Sequence, residues 1–154
     1  MPVGRPVLTG FDTVIRATSG IDNTQANNTI DRLFTGFIKL EKAVTVLNSD
    51  LTKGSATDPV PGAVLTYTIT YTNIATAVGG AGSVKLTANN LVITENGTAG
   101  GNNWATYTTQ NGAPTDSGSG VVVINGPATI ITDTVASIAA GAPSQALTFR
   151  RTIN

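Results

Sequence analysis

A strict alternation of apolar and polar side chains runs through eight residues, 65–72, of the segment 64–73, which reads VLTYTITYTN. Successive side chains of a β-strand point to opposite faces of the sheet, so a period of two residues indicates a strand with one buried face. The pattern therefore predicts a strand here, with threonines on one face. The predicted core face consists of Leu65, Tyr67, Ile69 and Tyr71.

Other short stretches rich in β-branched residues predict further strands, at 33–47, 84–88, 91–94, 104–109, 120–124, 129–134 and 145–153. A short helix over 39–47 is an alternative within the first stretch, but the adjacent β-branched residues at 44–46 favour a strand. The turns between the stretches contain Asn-Gly and Gly-Gly pairs, which supply the positive backbone angles of hairpins. Seven or eight short strands at this spacing predict an all-β, antiparallel β-sandwich of about seven strands, and a closed barrel remains the alternative because periodicity does not separate the two.

A separate alternating segment occupies residues 6–18, ahead of the polar residues 19–31. The polar stretch is rich in Asn, Asp, Ser and Gly, and we interpret it as a linker. We therefore predict an N-terminal extension strand and linker within residues 1–32, followed by a sandwich domain at 33–154.

The composition excludes several classes of chemistry. The chain has no His and no Cys, so a Ser-His-Asp triad, an imidazole or thiolate metal site and a disulfide are all excluded. Nine basic and nine acidic residues give a formal net charge of zero, which argues against nucleic acid and anionic membrane surfaces as partners. Charged residues make up only 12% of the chain, which fits either a solvated surface rich in hydroxyl and amide groups or a surface that contacts copies of itself.

Few carboxylates are placed where they could do chemistry. Asp116 and Asp133, or Glu95 and Asp133, are the pairs that could meet in space as an acid and a base. Asp116 lies in the sequence TDSGSG, however, which is typical of a tight turn. The loops contain no dense acidic cluster of the kind that holds Ca²⁺. We therefore predict no enzymatic activity, no metal site and no cofactor.

Two further arrangements could carry a function of a surface protein. Trp104 and Tyr107 could form a platform for a sugar ring, although a lone Trp in a sandwich more often belongs to the core. A covalent Lys–Asn isopeptide bond would need a lysine, an asparagine and an acid that are buried together. The candidates for it are Lys39 or Lys42, Asn154, and Glu41 or Glu95. The lysines alternate with apolar residues and are predicted to face solvent.

Three parts of the chain carry a family resemblance: PGAVLTYTITYTN at 61–73, LVITE at 91–95, and IAAG at 138–141 leading into ALTFR at 146–150. In this order they resemble the conserved-repeat, immunoglobulin-like domain of bacterial and archaeal surface proteins, a domain of unknown function. The resemblance covers residues 36–154, and its first part is the most specific. It implies an immunoglobulin-like β-sandwich, an extracellular or cell-surface location and a structural or adhesive role, with no catalytic or binding residues to carry over.

The extension strand lies outside the resemblance and has an apolar face of its own. Val7, Phe11 and Ile15 share that face, and Val14 lies on the other. We predict that this strand is donated to a sheet edge of the neighbouring copy, which makes these four residues the subunit interface. Folding back onto its own sandwich is the competing outcome.

Together these observations predict a structural subunit of an extracellular filament or surface layer. The predicted partners are copies of the chain itself, with other cell-surface components as further candidates, and neither nucleic acid nor the interior of a membrane. A carbohydrate- or surface-binding module and a spacer repeat of a large adhesin are the alternative functions.

Overall fold

The described part of the chain consists mostly of antiparallel β-strands with almost no helix, as the residue pattern predicts. The residues described by the computed structural model are 10–18, 26–34, 37–55, 59–75 and 86–154. Within them lie ten strands and one four-residue helix, distributed over two compact units, Met1–Phe37 and Ile38–Asn154. In chain order the elements are β1 (Gly10–Thr18), β2 (Ala26–Phe34), β3 (Ile38–Leu47), β4 (Val64–Asn73), β5 (Ala88–Asn96), α1 (Trp104–Tyr107), β6 (Thr108–Gln110), β7 (Thr115–Asp116), β8 (Val121–Ile124), β9 (Ile130–Ile138) and β10 (Gln145–Ile153).

In the first unit, β1 and β2 form an antiparallel hairpin. Nine residue pairs join the two strands, with Gly10 opposite Phe34 at one end. Residues 26–31 therefore belong to a strand, and their interpretation as linker is wrong. Strand pairing uses backbone N–H and C=O groups, so polar residues such as Asn and Thr can form a strand when a partner lies beside them. Residues 19–25, the rest of the predicted linker, lie outside the described residues.

The second unit contains two antiparallel sheets. One has the strand order β3-β4-β10-β6, with β7 also paired to β10, and the other has the order β5-β9-β8. β4 lies between β3 and β10. The bounds of β4 and β10 coincide with the predicted strands.

The alternating pattern of β4 is reproduced in its burial. Leu65, Ile69 and Tyr71 are buried, and Tyr67 is half-buried with its ring stacked on that of Phe149 in β10, at a centroid separation of 4.9 Å. The predicted core face of this strand is therefore confirmed. The threonines between these residues are half-buried, because β4 has a paired strand on each side.

The prediction of a strand at 104–109 is wrong over its first part. Trp104–Tyr107 form α1, and β6 starts only at Thr108. The Asn103 side chain caps the helix by accepting a backbone N–H at 3.2 Å, and the Thr108 hydroxyl donates to the Trp104 carbonyl at 3.2 Å. These local hydrogen bonds outweigh the β-preference of the aromatic and threonine residues in this segment.

The other predicted strands differ from the structure mainly at their ends. The predicted stretch 33–47 is divided, since residues 33 and 34 end β2 and β3 begins at Ile38. β3 is extended throughout, so the helical alternative there is wrong. Of the described residues in the predicted strand 84–88, only Ala88 is in a strand. The predicted strands 91–94, 120–124 and 129–134 correspond to β5, β8 and β9. β7 was not predicted, because its Thr-Asp sequence is typical of a turn.

Polar contacts join the two sheets of the second unit. Asn73, at the end of β4, is 1% exposed, and its amide donates to the carbonyls of Leu86 at 2.9 Å and Ile138 at 2.8 Å. Lys42 of β3 forms an ion pair with Glu95 of β5 at 2.6 Å. Side chains of one sheet therefore satisfy polar groups of the other at two separate places.

Candidate functional site

The predicted subunit-interface residues that the structure describes lie in β1. The register places Phe11 opposite Leu33, Val14 opposite Ile30, and Ile15 opposite Thr29. Val7 lies outside the described residues. β2 is paired to one edge of β1, and among the described strands none is paired to the other. β1 therefore has one edge at which further strand pairing is possible.

Among the described strands of the second unit, β3, β5 and β8 are the edge strands of four or more residues, since β6 and β7 have only three and two. The first of these three edges, β3, is protected by charge. β3 ends its sheet, and Lys39, Glu41 and Lys42 lie along it. The side chains of Lys39 and Glu41 are 53% and 60% exposed and pair with each other at 2.8 Å. Charged side chains on an edge strand oppose pairing with another chain, because they would lose hydration.

The edge of β5 is interrupted in its backbone. Asn90 has a φ of 53°, in the left-handed region, and the pairing with β9 passes from Asn89 to Leu91 without it. Glu95 of the same strand is charged and bound to Lys42. A residue that departs from extended geometry turns its N–H and C=O groups out of line for an incoming strand. This edge is therefore poorly suited to pairing along its length.

The edge of β8 has neither charged side chains nor a residue with a left-handed backbone. Val121 and Val123 are 65% and 59% exposed, and the strand has no charged residue. Among the described strands β8 pairs only with β9. The register continues the exposed valine face across the sheet, where Val121 and Val92 both lie opposite Thr134. An uncharged edge strand with exposed β-branched side chains is the type that accepts a further strand. Sequence reasoning predicted this strand but not its edge position, for which the uncharged run VVVI was the available signal.

Trp104 belongs to the core and does not form an exposed sugar-binding platform. It is 7% exposed, its ring centroid lies 5.5 Å from that of Phe149, and the Arg151 guanidinium lies 4.4 Å from it on the ring face. Tyr107, at the other end of α1, is 64% exposed. Because Trp104 has no face open to a ligand, it does not form the proposed platform with Tyr107.

The structure does not bring together the residues considered for an isopeptide bond. Lys39 pairs with Glu41 on the surface, and Lys42 pairs with Glu95. Asn154 instead exchanges hydrogen bonds with residues of α1 and β6. In the described part of the chain, no contact joins a lysine, an asparagine and an acid.

Asp116 of β7 and Asp133 of β9 do meet, and theirs is one of the two carboxylate pairs considered from the sequence. Asp133 has no exposed surface, and neither of its carboxyl oxygens accepts a hydrogen bond. Its cross-strand neighbours are apolar, Ile93 on β5 and Val122 on β8. Glu95, the other candidate partner, is engaged by a lysine of β3. With no exposed surface, Asp133 cannot touch a substrate in this arrangement.

Hydrogen bonds hold Asp116 in its ionised form. The Tyr71 hydroxyl donates to Oδ2 at 2.7 Å, and the N–H groups of Gly118 and Gly120 donate to Oδ1 at 2.7 and 3.0 Å. Burial opposes the ionisation of Asp116, but these hydrogen bonds together outweigh it and lower the pKa of this carboxyl. Burial and the hydrogen bond to Asp116 raise the pKa of Tyr71, which therefore remains a donor.

Burial and the charge of Asp116 raise the pKa of Asp133 from 3.8 to about 6. Asp116 presents acceptor oxygens to its neighbour, so a hydrogen bond between the two carboxyls requires a proton on one of them. The folded chain therefore takes up a proton at this pair at a pH where the unfolded chain has released it.

We expect the free energy of unfolding to fall as the pH rises through about 6. Because the pKa of Asp133 is raised in the folded chain, its protonated form stabilises the fold fully below the unfolded value of 3.8, and this contribution is lost as the pH passes about 6. The loss is on the order of 2 kcal/mol between about pH 4.5 and about pH 7, measured by urea titration. Asp133→Asn should remove most of this pH dependence, whereas Glu41→Gln on the exposed β3 edge should retain it. An unchanged pH dependence in Asp133→Asn would contradict the assignment.

The described residues include neither a helix that could span a membrane nor a group of three His, Cys, Asp or Glu side chains that could hold a metal ion. Comparison with protein-family models, curated proteins and solved structures finds no match. The resemblance to the immunoglobulin-like repeat domain of surface proteins therefore stays a prediction.

Proposed function

We propose that the chain is a structural subunit of an extracellular filament or surface layer, in which β1 of one copy pairs with the edge of β8 in the next. The uncharged β8 edge is the observation that supports this proposal most directly, because the β3 edge carries charges and the β5 edge is interrupted. Backbone hydrogen bonds between the strands provide affinity, and the alternating apolar residues of β1 extend the exposed face of Val121 and Val123.

The small size of the first unit also supports pairing with a neighbouring copy. A two-stranded hairpin is marginally stable in water, because it buries little apolar surface. β1 and β2 form a sheet of only two strands. The larger apolar residues of β1 are Phe11, Val14 and Ile15. Adding β1 to an existing three-stranded sheet supplies the further strands that the hairpin lacks. In this proposal the donated strand therefore arrives with β2 attached to it.

For the second unit we propose an immunoglobulin-like sandwich, in which the two sheets pack face to face. The proposal is supported by fully buried apolar residues on strands of both sheets, Ile131 and Val135 on β9 and Leu147 on β10. The hydrogen bond from Asn73 to Ile138 spans the two sheets. Such a fold leaves sheet edges free for strand addition.

We expect Val123→Lys to weaken assembly by at least about tenfold, or about 1.4 kcal/mol. Val123 is 59% exposed, so a lysine there meets solvent in the single subunit, and its cost to folding stays within about 0.5 kcal/mol. In the assembly the ammonium group lies beside the incoming strand and has to lose hydration. Sedimentation velocity measures the assembly, and near-UV circular dichroism of Trp104 reports the fold.

Thr45→Lys is the matched control, because it adds the same charge at an exposed position of β3. It should assemble as the wild-type chain does. Equal weakening by the two variants would contradict the assignment of the β8 edge. A wild-type chain that stays monomeric at every concentration would contradict the proposed function as a whole.

A further inference from the structure

Buried oxygen atoms that accept no hydrogen bond lie around the loop that follows β7. Both carboxyl oxygens of Asp133 and the Oε1 atom of Gln145, the first residue of β10, are buried without a partner. Asp133 itself has no exposed surface. Buried polar atoms of folded proteins nearly always have partners, so these three acceptors indicate either a ligand or, for the two carboxyls, the shared proton described above.

The loop of residues 116–120 lies against both acceptor groups. A Cβ atom at Gly118 would collide with the Oε1 atom of Gln145, and one at Gly120 would collide with the Oδ1 atom of Asp133. The two glycines therefore allow the loop backbone to approach these oxygens closely. The same loop begins with Asp116, whose carboxylate interacts with that of Asp133.

Three hydrogen-bond donors beside this group of oxygens are already used. Tyr71 and the two glycine N–H groups all donate to Asp116 and not to Asp133. Neither Asp116 nor Asp133 takes part in an ion pair within the described part of the chain. Two carboxylates and an amide oxygen therefore lie at one loop, and no basic side chain of the described residues pairs with either carboxylate.

We propose that Asp116, Asp133 and Gln145 bind a divalent cation and that this cation is Ca²⁺. Carboxylate and amide oxygens are typical ligands of Ca²⁺, which takes about six to eight oxygens in flexible geometry, including backbone carbonyls and water. Mg²⁺ demands a near-ideal octahedron and gives up its water reluctantly, which suits a fully buried carboxylate less well. The proposal does not depend on the filament function. It departs from the expectation from the sequence that the chain has no metal site.

Thermal unfolding of the full chain tests the site directly. The chain is treated with a chelator, dialysed at about pH 7.5 and melted with increasing CaCl₂, followed by circular dichroism. We expect a saturable rise in Tm of roughly 5 to 10 °C once Ca²⁺ exceeds its Kd by about a hundredfold. Isothermal titration of Ca²⁺ into the chelator-treated chain should show one site.

Asp133→Asn keeps the size of the buried side chain, so it should fold while losing the rise in Tm. Glu41→Gln, which removes a carboxylate from the exposed β3 edge, should keep it. A wild-type chain whose Tm rises on acidification but not with Ca²⁺ would overturn the proposal, since a shared proton would then satisfy the pair. An equal rise in Asp133→Asn would also overturn it. An equal response to MgCl₂ would overturn the choice of Ca²⁺.

Discussion

Phe11→Asp should abolish assembly of the chain while leaving the Ile38–Asn154 unit folded. Phe11 lies in β1, the strand we propose to be donated, so in the assembly its side chain must meet the neighbouring copy. A carboxylate there would have to lose its hydration beside apolar side chains with no charge to pair with it. We expect assembly to weaken by at least about a hundredfold, or about 2.7 kcal/mol.

Phe11→Leu is the matched control for this variant. It keeps an apolar side chain at the same register position, so it should assemble within about tenfold of the wild-type chain. Sedimentation velocity measures assembly of the wild-type chain and both variants. Near-UV circular dichroism of Trp104, which is buried in the second unit, reports folding. Normal assembly of Phe11→Asp, or loss of the Trp104 signal, would show that β1 belongs to its own subunit.

Arg151→Met should destabilise the second unit by about 4 kcal/mol, a large share of the usual stability of a domain. Arg151 is 2% exposed, and its guanidinium donates to Thr108 Oγ1 at 2.6 Å, Gln110 Oε1 at 3.0 Å and the Ala128 carbonyl at 2.8 Å. It also lies over the ring of Trp104. Methionine fills the space but leaves these acceptors without a donor. Lysine would not restore the hydrogen bonds, because it lacks the planar guanidinium group that reaches all the acceptors.

Arg150→Met provides the control for this experiment on the same strand. Arg150 precedes Arg151 in β10 and is exposed, so the same substitution should change the free energy of unfolding by no more than about 0.5 kcal/mol. Urea titration followed by circular dichroism measures both variants. Similar losses at the two positions would contradict the role assigned to the buried guanidinium.

Period-two patterning located the strands in which one face is more buried than the other. β4 and β10 have the predicted bounds, because apolar side chains recur at every second position over most of each strand. The same alternation contained a signal that sequence reasoning missed. Leu147, Phe149 and Arg151 occupy every second position of β10, and all three are buried. An arginine in register with an apolar face indicates a buried charge.

Local hydrogen bonds and strand pairing account for two predictions that were wrong. Residues 26–31 are polar, yet they pair with β1, because the backbone supplies the hydrogen bonds whatever the side chains are. Residues 104–107 favour a strand by composition, yet they form α1, because Asn103 caps a helical turn there. In both cases a hydrogen-bonding partner, β1 for one segment and the Asn103 side chain for the other, favours one of two backbone conformations that the composition leaves close in free energy.

By itself, the sequence determined that the chain is all-β and which residues of β4 face the core, because the period of two is a local property of each strand. Only the tertiary structure decided that Asp133 meets Asp116 and that Arg151 reaches its acceptors. It also decided that Val121 and Val123 remain exposed at a sheet edge. These outcomes depend on which strands become neighbours. Strand order is set by packing between residues far apart in the chain, which no local pattern records.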